Sequence, residues 1–164
     1  MGRARLRSSV MERRPRGDGV EALLLEAAQH GDARAQCNLG ILYDNGVDDN
    51  GHLIEADRPQ AVKWLSASAA QGLPRAQLKL AEIYASAPDG SGSHTTACGW
   101  FLLAAAGLCG IHLHEARSGY ARIAARLTPA QIAAAQRFAR DWRPPLLRKA
   151  AAGLSSNLSD RKGA

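Results

Sequence analysis

The sequence predicts an all-α fold, a solenoid of antiparallel helix hairpins, and three observations carry the prediction. One phrase recurs: Ala35-Gln36-Cys37-Asn38-Leu39-Gly40-Ile41-Leu42-Tyr43 returns as Ala76-Gln77-Leu78-Lys79-Leu80-Ala81-Glu82-Ile83-Tyr84. A second phrase, Ala61 to Ala70 with Trp64 inside it, returns from Ala97 to Ala106 with Trp100. The spacing is nearly constant: Trp64 to Trp100 and Tyr84 to Tyr120 are each 36 residues, while Tyr43 to Tyr84 is 41, so the first unit is the longer one. A fixed period of this size marks a stacked-repeat architecture.

Each phrase reads as a helix. Ala35, Leu39, Leu42 and Tyr43 stand at i, i+4, i+7 and i+8, one apolar stripe, and Ala76, Leu80, Ile83 and Tyr84 repeat it. Beside each leucine sits a small residue, Gly40 or Ala81. Glycine costs about 1 kcal/mol in a helix interior, so close approach of a neighbouring helix is the expected reason for it. Ala61, Trp64, Leu65 and Ser68 share a face of the second phrase. The tryptophans and tyrosines, set against alanine-rich surfaces, are expected to supply most of the buried area between helices.

In chain order, residues 1–17 form a basic arm expected to be disordered. A half-unit helix from Gly19 to His30 follows, with Gly31 suited to the left-handed closing position. Helix 33–45 stops at Asn45-Gly46, and residues 47–57 form a long loop. Asp57 caps helix 58–71, with Pro59 in its first turn. Leu73-Pro74 opens helix 74–87. The run from Pro88 to Ser93 reads as a loop, after which Thr95 or Thr96 caps a helix reaching Ala106. Gly107 to Gly110 turns the chain into helix 112–127. Thr128-Pro129-Ala130-Gln131 is a capping box that opens a last helix through Trp142, with Ile132, Ala135, Ala139 and Trp142 facing inward. Pro144-Pro145 ends the repeat domain, 18–143, and residues 144–164 form a flexible basic tail.

The order Ala-x-Ala-Gln-x-x-Leu-Gly-x-x-Tyr-x-x-Gly, then Asp-x-x-x-Ala-x-x-Trp-x-x-x-Ala-Ala-x-x-Gly, resembles the Sel-one-like repeat (SLR) family in its bacterial type, relatives of the tetratricopeptide (TPR) repeats. Residues 33–72 match from Ala33 through Gly46, Asp57, Ala61, Trp64, Ala69, Ala70 and Gly72. Residues 74–107 match but carry Ala87-Pro88-Asp89-Gly90 where a glycine should follow the first helix. The third copy, 112–127, keeps Tyr120 but puts Arg117 in the small-residue slot and loses the leucine. Such departure suits a terminal repeat, which faces water on one side. In this family a Leu-Thr-Pro-x-Gln start opens the closing helix, so Leu127 to Trp142 is the expected C-terminal cap. The resemblance implies a TPR-like superhelix of about two full repeats, with an N-terminal half-unit and C-terminal capping helices. It also implies a non-catalytic adaptor or scaffold that binds a partner protein or peptide on its concave face.

The formal net charge of +6 invites a nucleic-acid reading, but its placement argues otherwise. Six arginines (Arg3, Arg5, Arg7, Arg13, Arg14, Arg16) precede Gly17, and Arg148, Lys149, Arg161 and Lys162 lie in the tail. Between Gly17 and Arg143 stand eleven basic and thirteen acidic residues, so the folded part is close to neutral and slightly acidic. The arginine arm binding nucleic acid or an acidic surface is therefore an alternative, with the repeats as spacer. There is no long apolar run to span a membrane. No apolar core follows the basic N-terminus as a secretory signal would require, and Met11 offers a second candidate start. Three cysteines, Cys37, Cys98 and Cys109, cannot all pair within the chain, so buried reduced thiols and a cytoplasmic location are expected. Hydrolase-like activity, an attribute of some members of the family's cysteine-rich branch, is disfavoured by the missing cysteine pairs.

Signals for chemistry are weak. The acidic loop Asp44 to Gly51 fails the calcium-loop count, because neither glycine has acidic ligands at the first, third and fifth positions before it. Cys109, His112, His114 and Glu115 lack a second ligand pair, and His112 and His114 on one helix point about 200° apart, so no metal is expected. No phosphate loop or nucleophile elbow occurs, and no cofactor is expected. Ser66 and Ser68, inside a helix, are expected to serve packing. What remains is the face that the apolar stripes leave open. Arg34, Asn38 and Ile41 form one row there, and Arg75, Lys79 and Glu82 the matching row one repeat later. These six are the candidate partner-binding residues, and their basic members favour an acidic segment or a free carboxylate.

Overall fold

The computed structural model describes residues 20–46, 55–88 and 91–142. Within them the chain forms seven helices, with no strand among the described residues: α1 (Val20–Gln29), α2 (Ala33–Asn45), α3 (Arg58–Ala70), α4 (Pro74–Ala85), α5 (Ser91–Gly107), α6 (Gly110–Ala124) and α7 (Pro129–Asp141). The predicted arm 1–17, most of the loop 47–57 with the later part of the rejected calcium loop, and the tail 144–164 lie outside the described residues.

Local chemistry sets most boundaries. The Asp32 carboxylate accepts from the Ala35 amide at 2.7 Å and starts α2, and Gly46 closes it at φ 71°, a left-handed conformation suited to glycine. Asp57 accepts from the Gln60 amide at 2.9 Å, as expected of the cap of α3. Thr128 and Gln131 form the predicted capping box: the Thr128 amide donates to Gln131 Oε1 at 2.9 Å, and the Gln131 amide donates to Thr128 Oγ1 at 3.3 Å. One boundary differs. α5 begins at Ser91, so the last three residues of the predicted loop are helix, and neither Thr95 nor Thr96 is its cap. Thr96 Oγ1 instead donates back to the Gly92 carbonyl at 3.1 Å, four residues earlier.

The helices stack as an α/α solenoid. α2, α4 and α6 lie side by side in one layer, and α1, α3 and α5 in the other, each helix from α1 to α5 packing on the one that follows it. Gly40 explains itself: a Cβ there would lie 2.6 Å from Leu65 Cγ, so its absence lets α3 close on α2. The recurrent glutamine has a role that the sequence does not reveal. Gln36 Nε2 donates to the Ala28 carbonyl at 3.0 Å, and Gln77 Nε2 to the Ala69 carbonyl at 3.4 Å, tying each repeat to the C-terminal end of the helix before it. Ser68, fully buried, donates to the Ala33 carbonyl at 2.6 Å, in keeping with a packing role.

One expectation gains detail and one needs correction. The most deeply buried large side chains are Leu39, Leu65, Leu80 and Phe101, while the recurrent Tyr43, Tyr84, Tyr120, Trp64 and Trp100 are half-buried. The rings occupy seams, Tyr43, Tyr84 and Trp100 each packing against two successive core clusters. Their polar tips hold them at the edge, as where Tyr43 Oη donates to Glu21 Oε1 at 3.0 Å. The cysteines also divide: Cys37 and Cys98 are buried, but Cys109 is exposed. Burial pushes the Cys37 and Cys98 thiols up, further from thiolate. A maleimide reagent followed by mass spectrometry should therefore add quickly once, at Cys109, and reach the other two only on unfolding. Rapid modification of all three would refute this packing.

The cap helix α7 is present, but it packs on α5 rather than closing a third hairpin on α6. Side-chain size accounts for this. Arg117 fills the slot that Gly40 and Ala81 keep small, and it is exposed. On α5, Gly99 stands one repeat after Lys63, and a Cβ there would lie 2.4 Å from the Phe138 ring. Phe138 settles into that gap and meets Trp100 edge-on with ring centres 5.3 Å apart, while Trp142 meets the same tryptophan at 6.3 Å. Of the four residues expected to face inward, Ala135 is buried and Ile132, Ala139 and Trp142 are half-buried.

Candidate interaction face

The six candidate residues lie on neighbouring helices, three on α2 and three on α4. Arg34, Asn38 and Arg75 are exposed, while Ile41, Lys79 and Glu82 are half-buried. Ile41 packs against the core cluster of Cys37, Ala61, Leu65 and Leu80, so part of its side chain belongs to the scaffold. Lys79 Nζ and Glu82 Oε2 form an ion pair at 2.8 Å, and the Lys79 charge is therefore already answered. At that exposure such a pair contributes about 0–1 kcal/mol. Arg34 and Arg75 make no hydrogen bond or ion pair among the described residues.

Electrostatics place two of these cations. The buried Cys37 thiol, on α2, is raised mainly by desolvation, and Arg75 and Lys79 on α4 oppose that shift. Both cations thus lie close to the seam between α2 and α4. A neighbouring strap ties the two layers together: Arg58 Nη2, at the start of α3, donates to the Ile83 carbonyl near the end of α4 at 3.0 Å and to Ser86 Oγ.

The row does not stop at α4. The same 36-residue step that separates Tyr84 from Tyr120 carries Arg75, Lys79 and Glu82 onto Ile111, Glu115 and Ser118 of α6, all exposed. Ile111 is 70% exposed, and Glu115 pairs with His112 Nδ1 at 3.0 Å. This third row was legible in the repeat period but escapes a search for matching polar residues, because Ile111 is apolar. His114 lies 3.5 Å from Ser118 Oγ, and among the described residues no three His, Cys, Asp or Glu side chains come together as a metal set. No described helix is long and apolar enough to cross a membrane.

Paired helices in two layers, with a small-residue seat inside each hairpin and a glutamine tie between units, define a TPR-like helical repeat protein. Solved structures narrow the class. The chain is similar to c5321, a protective antigen present in uropathogenic Escherichia coli strains displaying an SLR fold, at 25% identity and TM-score 0.60 over 74% of this chain. It spans only 24% of that protein. It is also similar to a Sel1 repeat protein from Oxalobacter formigenes, at 26% identity and TM-score 0.46, covering 74% of this chain and 97% of that one. No protein-family model matches the sequence, and no curated protein does. The fold is that seen in Sel1-like repeat (SLR) proteins, a TPR-like α/α solenoid.

Proposed function

We propose that this chain is a non-catalytic adaptor that binds a partner protein or peptide segment along the α2–α4–α6 face, the concave side of the superhelix. One observation carries the reading. Two exposed guanidinium groups, Arg34 and Arg75, stand at the same repeat position on adjacent helices with no anion among the described residues to answer them. A guanidinium pairs with carboxylate through charge-assisted, often bidentate hydrogen bonds, so an acidic partner segment fits. The rigid hairpins fix the distance between such contacts, so that individually weak contacts combine into specific binding. Free thiols at Cys37, Cys98 and Cys109 favour a reducing compartment, the cytoplasm.

The test compares two baits. Arg75→Glu with Lys79→Glu should lower the melting temperature by no more than about 5 °C, because Arg75 is exposed and the Lys79–Glu82 pair contributes only about 0–1 kcal/mol. When each bait is incubated with lysate of the source cell, proteins held by the parent should be lost from the variant. If the same proteins are retained in the same amounts, this face is not where they bind.

A further inference from the structure

The interaction face carries more than a sign of charge. Arg34, Arg75 and Ile111 are each the second residue of their helix, following Ala33, Pro74 and Gly110. The repeat register makes them equivalent, and all three are exposed. They form one line across three parallel helices: cation, cation, apolar.

The next line inward is different. Asn38 is neutral, Lys79 is paired with Glu82, and Glu115 is paired with His112. In that line the one cation, Lys79, is already answered, whereas the outer line holds two cations with no ion pair among the described residues. Ile111, for its part, belongs to none of the core clusters, and the buried residues of α6 are Ala116, Gly119 and Ile123.

Spacing then constrains what can lie across the line. α2 approaches α4, and α4 approaches α6, to within packing range, and packed helices stand about 8–10 Å apart. A β-strand advances about 10 Å in three residues but turns its third side chain to the opposite face. A polyproline II segment has three residues per turn and rises about 3.1 Å per residue, so every third side chain faces the same way about 9 Å further on. Its pitch matches the helix spacing, and that of a strand does not.

We infer that the line Arg34, Arg75, Ile111 is built for a polyproline II segment with acidic side chains at positions i and i+3 and an apolar side chain at i+6, or the same order reversed. The inference rests on the reading of this face as the partner site and specifies its occupant. Each carboxylate meets one guanidinium, the apolar side chain covers Ile111, and a segment already held in the polyproline II form loses less entropy on binding.

Fluorescein-labelled peptides on the full chain test this by anisotropy at fixed ionic strength. The probes are Glu-Pro-Pro-Glu-Pro-Pro-Leu, its reverse Leu-Pro-Pro-Glu-Pro-Pro-Glu, the isomer Glu-Glu-Pro-Pro-Pro-Pro-Leu, and a version of the first two with Ser replacing Leu. One of the spaced peptides should bind about tenfold tighter than the adjacent-charge isomer, the cost of roughly one misplaced charge-assisted contact. Arg34→Gln and Arg75→Gln should each remove most of that preference. Ile111→Ser should abolish only the preference for Leu over Ser. Equal binding of spaced and adjacent isomers overturns the inference while leaving an acid-binding face in place. No binding of any probe overturns it too, and the adaptor reading then stands or falls on the bait comparison. Spaced binding that survives Arg34→Gln and Arg75→Gln would place the peptide elsewhere and reject both.

Discussion

Phe101→Ala should be the most damaging single substitution in the chain, lowering the free energy of unfolding by about 3–5 kcal/mol. Phe101 is 1% exposed and is the largest of the fully buried side chains among the described residues. Its ring lies against Gly119, where a Cβ would come within 2.5 Å of two ring carbons. Around it in the C-terminal cluster stand Ala81, Ala97, Ala104, Ala116 and Ala135. Alanines have no reach with which to fill a vacated volume, and only Leu78, Cys98 and Ile123 of the buried cluster can shift toward it, so most of the cavity stays open and the cost falls toward the upper end of the range. The same substitution removes support from α5, the helix on which α4, α6 and α7 all pack. Because a domain of this kind has a total stability of about 5–15 kcal/mol, the variant should unfold at a much lower urea midpoint, followed by far-UV circular dichroism. A loss below about 1 kcal/mol would show that the ring is not the centre of this core.

Phe101 also shows where the sequence is readable and where it is not. Helix positions followed from local rules that act within a few residues: Asp57 and Thr128 as caps, Gly46 as a left-handed stop, the prolines at first turns. Those rules need no knowledge of the rest of the chain. The start of α5 broke them, because Gly92 and Ser93 look like loop residues by composition. Burial of His94, Ala97 and Cys98 on one face draws the helix back to Ser91, and tertiary context overrides weak propensity. The repeat period predicted which residues are equivalent, yet not how deep each one sits. Trp64 and Trp100 stood out by size, whereas Leu65 and Phe101, one position later, occupy the centre. The seat of α7 depended on Gly99 replacing Lys63, a change that reads as trivial until Phe138 is seen to fill it. On the interaction face, matching polar residues drew the eye to α2 and α4, while Ile111 needed the register to be carried one step further.

The second large effect tests the hairpin seat itself. Gly40→Val should destabilise the chain by about 3 kcal/mol, near the upper end of ordinary overpacking. Replacing glycine in a helix interior recovers up to about 1 kcal/mol of propensity, so an open site would show a gain or no change. Gly40 is not open: the added Cβ would lie 2.6 Å from Leu65 Cγ and 3.1 Å from the Leu65 amide nitrogen. Those atoms are a branch point and the backbone, and neither can swing aside as the end of a long side chain does. Gly92 provides the control, since a Cβ there meets nothing within 4 Å, and Gly92→Ala should be neutral or stabilising. Leu65→Ala alone should cost about 2–5 kcal/mol through its cavity. In the double variant the valine enters the space the leucine has left, so the two costs should fall short of additivity by more than about 1 kcal/mol. Strict additivity would mean that Gly40 and Leu65 do not meet. The small-residue slot would then be no seat, and Arg117 in the third copy would no longer account for α7 turning away from α6.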